Sequence, residues 1–171
     1  MENNKIKFIT RTGILLAVAL VVQMGGFPQP ITGPLINTVL YLAALLVGSW
    51  GGIIIGVCTP VIAFMRGILP APLGPMIPFI ALGNGVLVVV FSLLKGKNKI
   101  FGIIIASLAK YLILFTAVSY IVDVPDKIAQ IMSLPQLFTA LSGGVIAMLA
   151  YKALWVIGMD RTKEMPEDKK Q

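Results

Sequence analysis

Two cations and a few amides interrupt an otherwise apolar chain, and these are the groups that could do chemistry. Lys110 stands inside IIIASLAKYLILFT, and Arg66 closes the run PVIAFMR. A charged side chain at the centre of a bilayer costs at least about 2.5–3.5 kcal/mol on insertion scales. The cost is usually offset by a carboxylate partner. Here all seven carboxylates, Glu2, Asp123, Asp126, Asp160, Glu164, Glu167 and Asp168, lie in tails or in one loop. Three readings of Lys110 stand: it snorkels to an interface, it packs neutral or against helix carbonyls, or it meets an anionic ligand. Arg66 sits at the edge of the proline-rich ILPAPLGP. It either rests at the membrane interface or uses its fork of donors on a carboxylate.

The amides Asn37, Asn84 and Gln136 each fall near one end of an apolar stretch, and Gln23 and Gln29 flank the first loop. Such groups orient a polar ligand, or they stitch helices together. Tyr41, Tyr111, Tyr120, Phe64 and Phe79 either line an apolar pocket or anchor span ends at the interface. The expected ligand-binding set is Arg66, Asn84, Lys110, Asn37, Gln136 and Gln29. No residue set suggests catalysis. The chain has no histidine and a single cysteine, Cys58, which leaves no internal disulfide and no ordinary Cys/His metal site. It carries no GxxxxGK[ST] phosphate loop. An enzyme, a resident cofactor and a bound metal are therefore not expected. A carboxylate in mid-membrane, common in proton-driven pumps, is missing as well.

These groups need elements to position them. With 57% apolar and 12% charged residues and a mean hydropathy of +0.93, the chain falls far from a soluble domain, which is about 25% charged. It reads as an all-α integral membrane protein. At about 20 residues per span, six transmembrane helices fill the length. The expected organisation is a cytoplasmic tail (1–7), a six-helix domain (8–157) and a polar cytoplasmic tail (158–171). Spans are expected over about 8–24, 35–47, 50–66, 76–94, 100–120 and 137–157, with a start of the second inside the preceding loop left open. Lys5, Lys7 and Arg11 before an apolar run resemble a signal peptide, but the small residues Ala17 and Ala19 lie within the run, so the span is retained.

The net charge of +7 is read as topology rather than as a nucleic-acid surface. With the amino terminus inside, Lys5, Lys7, Arg11, Lys95, Lys97, Lys99, Lys152, Arg161, Lys163, Lys169 and Lys170 are cytoplasmic. Only Lys127 is outside. That asymmetry is a strong positive-inside pattern, with both termini cytoplasmic. The proline-bearing loops FPQPITGP, LPAPLGP and SLPQ then all face outward, over a cavity opening to that side. The first two share a Pro-x-Pro, Gly-Pro order, from a hairpin duplication or from convergent use of proline at helix starts. Gly48, Gly52, Gly56 and Pro60 recur every four residues, a stripe for close packing within the protein or against a partner. Gly13 and Ala17 form a small-xxx-small pair on the first span.

The stretches TRTGILLAVALVVQM, ITGPLINTVLYLAALLVGSWGG and RGILPAPLGPMIPFIALGN give the chain, over about residues 8–157, a form that resembles the substrate-binding S component of energy-coupling factor (ECF) transporters. The resemblance implies a six-helix bundle in a prokaryotic cell membrane that binds a vitamin-like micronutrient near the outer face. It implies partners: a transmembrane scaffold subunit and two cytoplasmic ATPases, onto which the S component docks to release cargo inward. The family docks through Ala-x-x-x-Ala in its first span; here the matching residues are Gly13 and Ala17. Metal-transporting relatives need an amino-terminal His-bearing loop, which this chain lacks. Arg66 and Lys110 without acidic partners favour an anionic compound such as a biotin-, pantothenate- or lipoate-like acid. Two alternatives stay open, a membrane scaffold of cell-envelope morphogenesis and a stand-alone facilitator.

Overall fold

A computed structural model describes residues 2–156, and these are helical with short connections. The first helix, α1 (Glu2–Met24), includes residues 2–7, the expected tail, in helical form. It is followed by α2 (Gln29–Leu46), α3 (Ser49–Met65), a 3₁₀ segment (Ala71–Met76), α4 (Ile77–Leu94) and α5 (Lys99–Thr116). A π turn (Ala117–Ile121) extends α5. The short α6 (Asp126–Met132) and the long α7 (Leu134–Val156) close the chain. Residue 157 and the predicted tail at 158–171 lie outside the described residues. Among the described residues, five segments are long and apolar enough to cross a membrane, and α3, of 17 residues, is shorter.

Local chemistry sets the boundaries. The second span was drawn from about Leu35 with a start inside the loop left open, and α2 does begin there, at Gln29, with Pro28 as its extended N-cap and Pro30 in its first turn. Proline suits that turn because its missing N–H would have no intrahelical partner there anyway. Pro34 follows inside the helix. The same logic places Pro70 before the 3₁₀ segment and Pro78 at the start of α4. Asn98 caps α5, its Oδ1 accepting from the amides of Ile100 and Phe101 at 2.9 and 3.1 Å. At the end of α3, Gly67 takes the left-handed conformation (φ 70°). Its amide donates to Phe64 O and that of Ile68 to Ala63 O, both at 2.9 Å, the paired closure of a Schellman motif.

The helices alternate between two ends. The end bearing the start of α1 and the α2–α3 and α4–α5 turns is the basic end. The other, built from residues 25–28, 66–76 and 117–133, is the loop end. Helix α2 is the most enclosed span and α1 the least, with 61% and 11% of their spanning windows buried. The bundle is therefore organised around α2, which packs on α1, α3, α4 and α7, while α5 joins α4 to α7. Leu40, Tyr41, Ile55, Leu87, Val88 and Phe91 fill the core, with Tyr41 edge-on to Phe91 at 4.9 Å. A second apolar cluster (Leu73, Met76, Leu114, Ala117, Met132) holds the loop end. Of the glycine stripe, Gly52 and Gly56 lie against Val88 and Asn84 of α4, so these two serve packing within the protein. Gly48 instead caps α3 at φ 104°.

Candidate functional site

Lys110 is buried, and its ammonium is held by side chains. Its Nζ donates to Asn37 Oδ1 and to Asn84 Oδ1, both at 2.7 Å. Three helices meet in this contact, α2, α4 and α5, at roughly 9–12 Å along each from its loop end, taking 1.5 Å per residue. Snorkelling is thereby ruled out as the account of Lys110: only 4% of the residue is exposed, and its nitrogen is held in place.

Both amides are pinned from behind. Asn37 Nδ2 donates to Gly33 O at 2.9 Å and lies 3.5 Å from Thr139 Oγ1; Asn84 Nδ2 donates to Gly56 O at 2.9 Å. With each –NH₂ group committed to an acceptor, each carbonyl oxygen is turned to the lysine. Asn37 and Asn84 therefore position a cation and join helices, and both also line the cavity described below. Burial makes the arrangement strict, because an unpaired polar group at this depth costs about 1–3 kcal/mol and a charged one more.

Close helix approach makes the geometry possible, and glycine permits the approach. A Cβ on Gly143 of α7 would lie 2.6 Å from Asn37 Cβ and 2.7 Å from Pro34 O. One on Gly56 would lie 3.0 Å from Asn84 Cβ, and one on Gly83 3.3 Å from Lys110 Cγ. Each of the three polar residues thus has a glycine of another helix against it. The sequence carried the signal in Gly56, Gly83 and Gly143, but which side chain each glycine faces depends on helix pairing. One turn towards the basic end, Tyr41 OH and Ser107 Oγ share a hydrogen bond at 2.9 Å, a second buried polar rung between α2 and α5.

On the loop side of Lys110 lies a cavity of about 70 Å³. Its lining rises from Lys110, Asn37 and Asn84 through Thr59 and Gln136 to Gln23, Gln29 and Thr32, with Ile36, Pro60, Leu69, Leu73, Ile80 and Met132 as the apolar wall. Five of the six expected residues, Lys110, Asn37, Asn84, Gln136 and Gln29, are brought together here. Arg66 is not. It is the C-cap of α3 in the Schellman turn, exposed, where a cation also complements the helix dipole. None of the five aromatics weighed for the pocket wall lines the cavity: Tyr41 is core, Tyr120 is 80% exposed, and Phe64 packs on Gly74. Thr59, Leu73 and Met132 are lining residues that sequence reasoning missed, since nothing separates them from core residues until the helices are packed.

Gln136 is 95% buried, by its relative exposure of 5%. Its Nε2 faces Ile131 O at 3.3 Å and Met132 Sδ at 3.8 Å. That fixes the amide, because a flipped group would set two carbonyl oxygens against each other. Among the described residues, no group donates to Gln136 Oε1 and none takes the third N–H of Lys110. No cluster of His, Cys, Asp or Glu that could hold a metal ion occurs among them either.

Gly13 and Ala17, expected to dock a partner, lie on exposed surface of α1, and nothing comes within 4 Å of where a Gly13 Cβ would be. Residues 7–158 match the family model described as ECF transporter, substrate-specific component. No curated protein and no solved structure matches the chain.

Proposed function

From the premise that this chain belongs to the substrate-specific components of ECF transporters, we propose that it captures a small, vitamin-like anion in the cavity beside Lys110. It then delivers the anion inward after docking on a scaffold subunit that carries two ATPases. The observation behind this reading is the buried ammonium on two neutral amide oxygens, with an N–H to spare and a cavity in front of it. Among the described residues no carboxylate pairs with the ammonium, and Asp123 and Asp126 are exposed at the loop end. A bound anion completes the pair, and the low local dielectric strengthens it. Asn37 and Asn84 set the ammonium in place beforehand, so little ordering is left for the ligand to impose.

Topology supports the direction of transport. Among the described residues, Lys5, Lys7, Arg11, Lys95, Lys97, Lys99 and Lys152 gather at the basic end while Arg66 and Lys127 lie at the loop end, so in this reading the basic end faces the cytoplasm of a prokaryotic cell and the loop end the outside. In this reading all six long helices span the membrane, α3 included. The least enclosed helix, α1, presents Gly13 and Ala17 one turn apart, leaving a shallow groove for a scaffold helix. Arg66, outside the cavity, has no part in ligand binding here.

Native mass spectrometry of the protein purified from its own host in mild detergent tests the reading. A small molecule should stay bound, and scaffold and ATPase subunits should copurify. Gly13→Leu should shed those subunits and keep the molecule. Protein that carries neither small molecule nor ATPases would contradict the proposal.

A further inference from the structure

Among the described residues, two buried side-chain oxygens have no hydrogen-bond partner, Thr12 Oγ1 and Ser92 Oγ. A hydroxyl on a helix has a ready acceptor in the carbonyl four residues back, and Thr38, Thr59 and Ser142 use theirs. Thr12 and Ser92 do not, and both stand at the start of α3, at the end of the bundle away from the cavity. Thr12 is only 7% exposed, and its Oγ1 lies 3.0 Å from where a Cβ of Gly51 would be. Gly56 faces Asn84 and Gly52 faces Val88, and the same antiparallel register, one turn further, sets Ser92 beside Gly48. Buried polar atoms in native proteins are almost always paired, so two unpaired hydroxyls converging on one place mark a partner that belongs there.

The place is a helix N-terminus whose donors point out of the helix. No side chain caps α3 at Gly48, whereas Asn98 caps α5 and prolines occupy the first turns of α2 and α4. The amides of Ser49, Trp50 and Gly51 precede the first bond of the helix, from Gly52 N–H to Gly48 O at 3.2 Å. Such amides and the helix dipole together favour an anion. Nothing lies within 4 Å of where a Cβ of Gly48 would be, so the space there is open. Cations flank it. Arg11, next to Thr12 on α1, gives one N–H to Leu46 O and carries four more, and Lys95, one turn past Ser92, reaches Ala44 O. Trp50 is 74% exposed beside this point, as suits the membrane–water interface where lipid phosphates lie.

We infer that the start of α3 is a binding site for a phosphate group, carried by a lipid headgroup or free in solution. Its oxygens take the first amides of α3 and the remaining N–H groups of Arg11, with Lys95 adding charge. The Thr12 and Ser92 hydroxyls donate to it once α1, the least enclosed span, gives way slightly, since both oxygens are covered as the helices now stand. This site is independent of the capture reading above.

Two titrations of delipidated, detergent-purified protein test it. Thermal shift compares inorganic phosphate with chloride at equal ionic strength. Native mass spectrometry compares dioleoylphosphatidylglycerol with the phosphate-free dioleoylglycerol. At least one phosphate probe should bind in preference to its control. Binding of the lipid alone assigns the group to the membrane, binding of inorganic phosphate alone assigns it to solution, and binding of both means that the bare group suffices. Thr12→Val should raise the melting temperature in chloride, because it removes an unpaired buried hydroxyl, and yet weaken the bound probe about tenfold. Arg11→Gln should weaken it by about tenfold or more, read against the variant's own baseline. Ser49→Pro, which removes one amide while suiting a first helical turn, should weaken it as well. Neither probe binding better than its control would overturn the site. So would Thr12→Val and Arg11→Gln variants that bind the probe as tightly as the wild type.

Discussion

Helix α2 meets cations in two places, and the two encounters differ in kind. At its basic end, Arg11 Nη1 donates to Leu46 O at 3.1 Å, and Lys95 Nζ donates to Ala44 O. These are carbonyls of the last turn, which have no intrahelical donor, and a cation there also suits the dipole. In mid-helix, α2 has no spare carbonyls. There Lys110 is held through the side chain of Asn37, with Asn84 of α4 as the second acceptor. A cation on terminal carbonyls satisfies what any helix end leaves over. A cation placed at mid-depth by two amides ties three helices together and also stands beside a cavity, where the proposed function assigns it to the ligand. That contrast separates cations that fasten helix ends from the one to which the proposed function gives the ligand.

The contrast can be broken or sharpened by substitution. The largest expected effect on stability comes from Gly143→Ala, since the new Cβ would meet Asn37 and the α2 backbone at 2.6–2.7 Å. The helices must separate, at a cost of about 3 kcal/mol. Gly13→Ala, with open space around it, should gain about 0.5–1 kcal/mol from helix propensity. Melting curves of the two variants in one detergent check the pair, and equal behaviour would show that the α2–α7 approach does not matter. Next comes Asn84→Leu. It leaves the ammonium one acceptor and removes the bond to Gly56 O, for about 1–3 kcal/mol of stability. Combined with Asn37→Leu in a double-mutant cycle, it should be non-additive, since both act on one nitrogen; strict additivity would mean that the two amides act separately.

Lys95→Met should cost less, about 0.5–1 kcal/mol, from lost capping. Ligand retention in the native spectrum should not change, and a lost ligand would erase the distinction between the two encounters. Arg66→Ala is the smallest: within about 0.5 kcal/mol in stability, as for an exposed side chain, with ligand affinity unaltered. An affinity loss of tenfold or more in titration would bring Arg66 back to the ligand.

Polar residues at depth were legible because hydrocarbon makes them conspicuous. Lys110, Asn37, Asn84, Gln136 and Gln29 stood out from the sequence for that reason, and packing brings all five to one cavity. The clasp of Lys110 by two amides was not legible, because it depends on how α2, α4 and α5 are rotated about their axes, and the surrounding runs are apolar on every side. Arg66 misled because proximity in sequence to a proline loop is not proximity to the cavity. Gly67 turns the chain at the helix end, and the side chain stays outside. The start of α2 was legible only as a range, since three prolines read as loop although two of them suit a cap and a first turn, and the helix begins within that loop, at Gln29. The seven-residue α6 was hidden in VDVPDKIAQIMSLPQ, too short for a helical period to show.

The most direct test of the central claim compares wild type and Lys110→Met, purified side by side from the native host, by native mass spectrometry. Met fills similar volume without the charge, and removing a buried ammonium offsets much of what the two amides lose, so the variant should fold. The account predicts wild-type protein carrying an anionic small molecule and folded variant protein carrying none. A folded variant that keeps the same molecule at the same occupancy would contradict it, and Lys110 would then be one more fastening of the bundle.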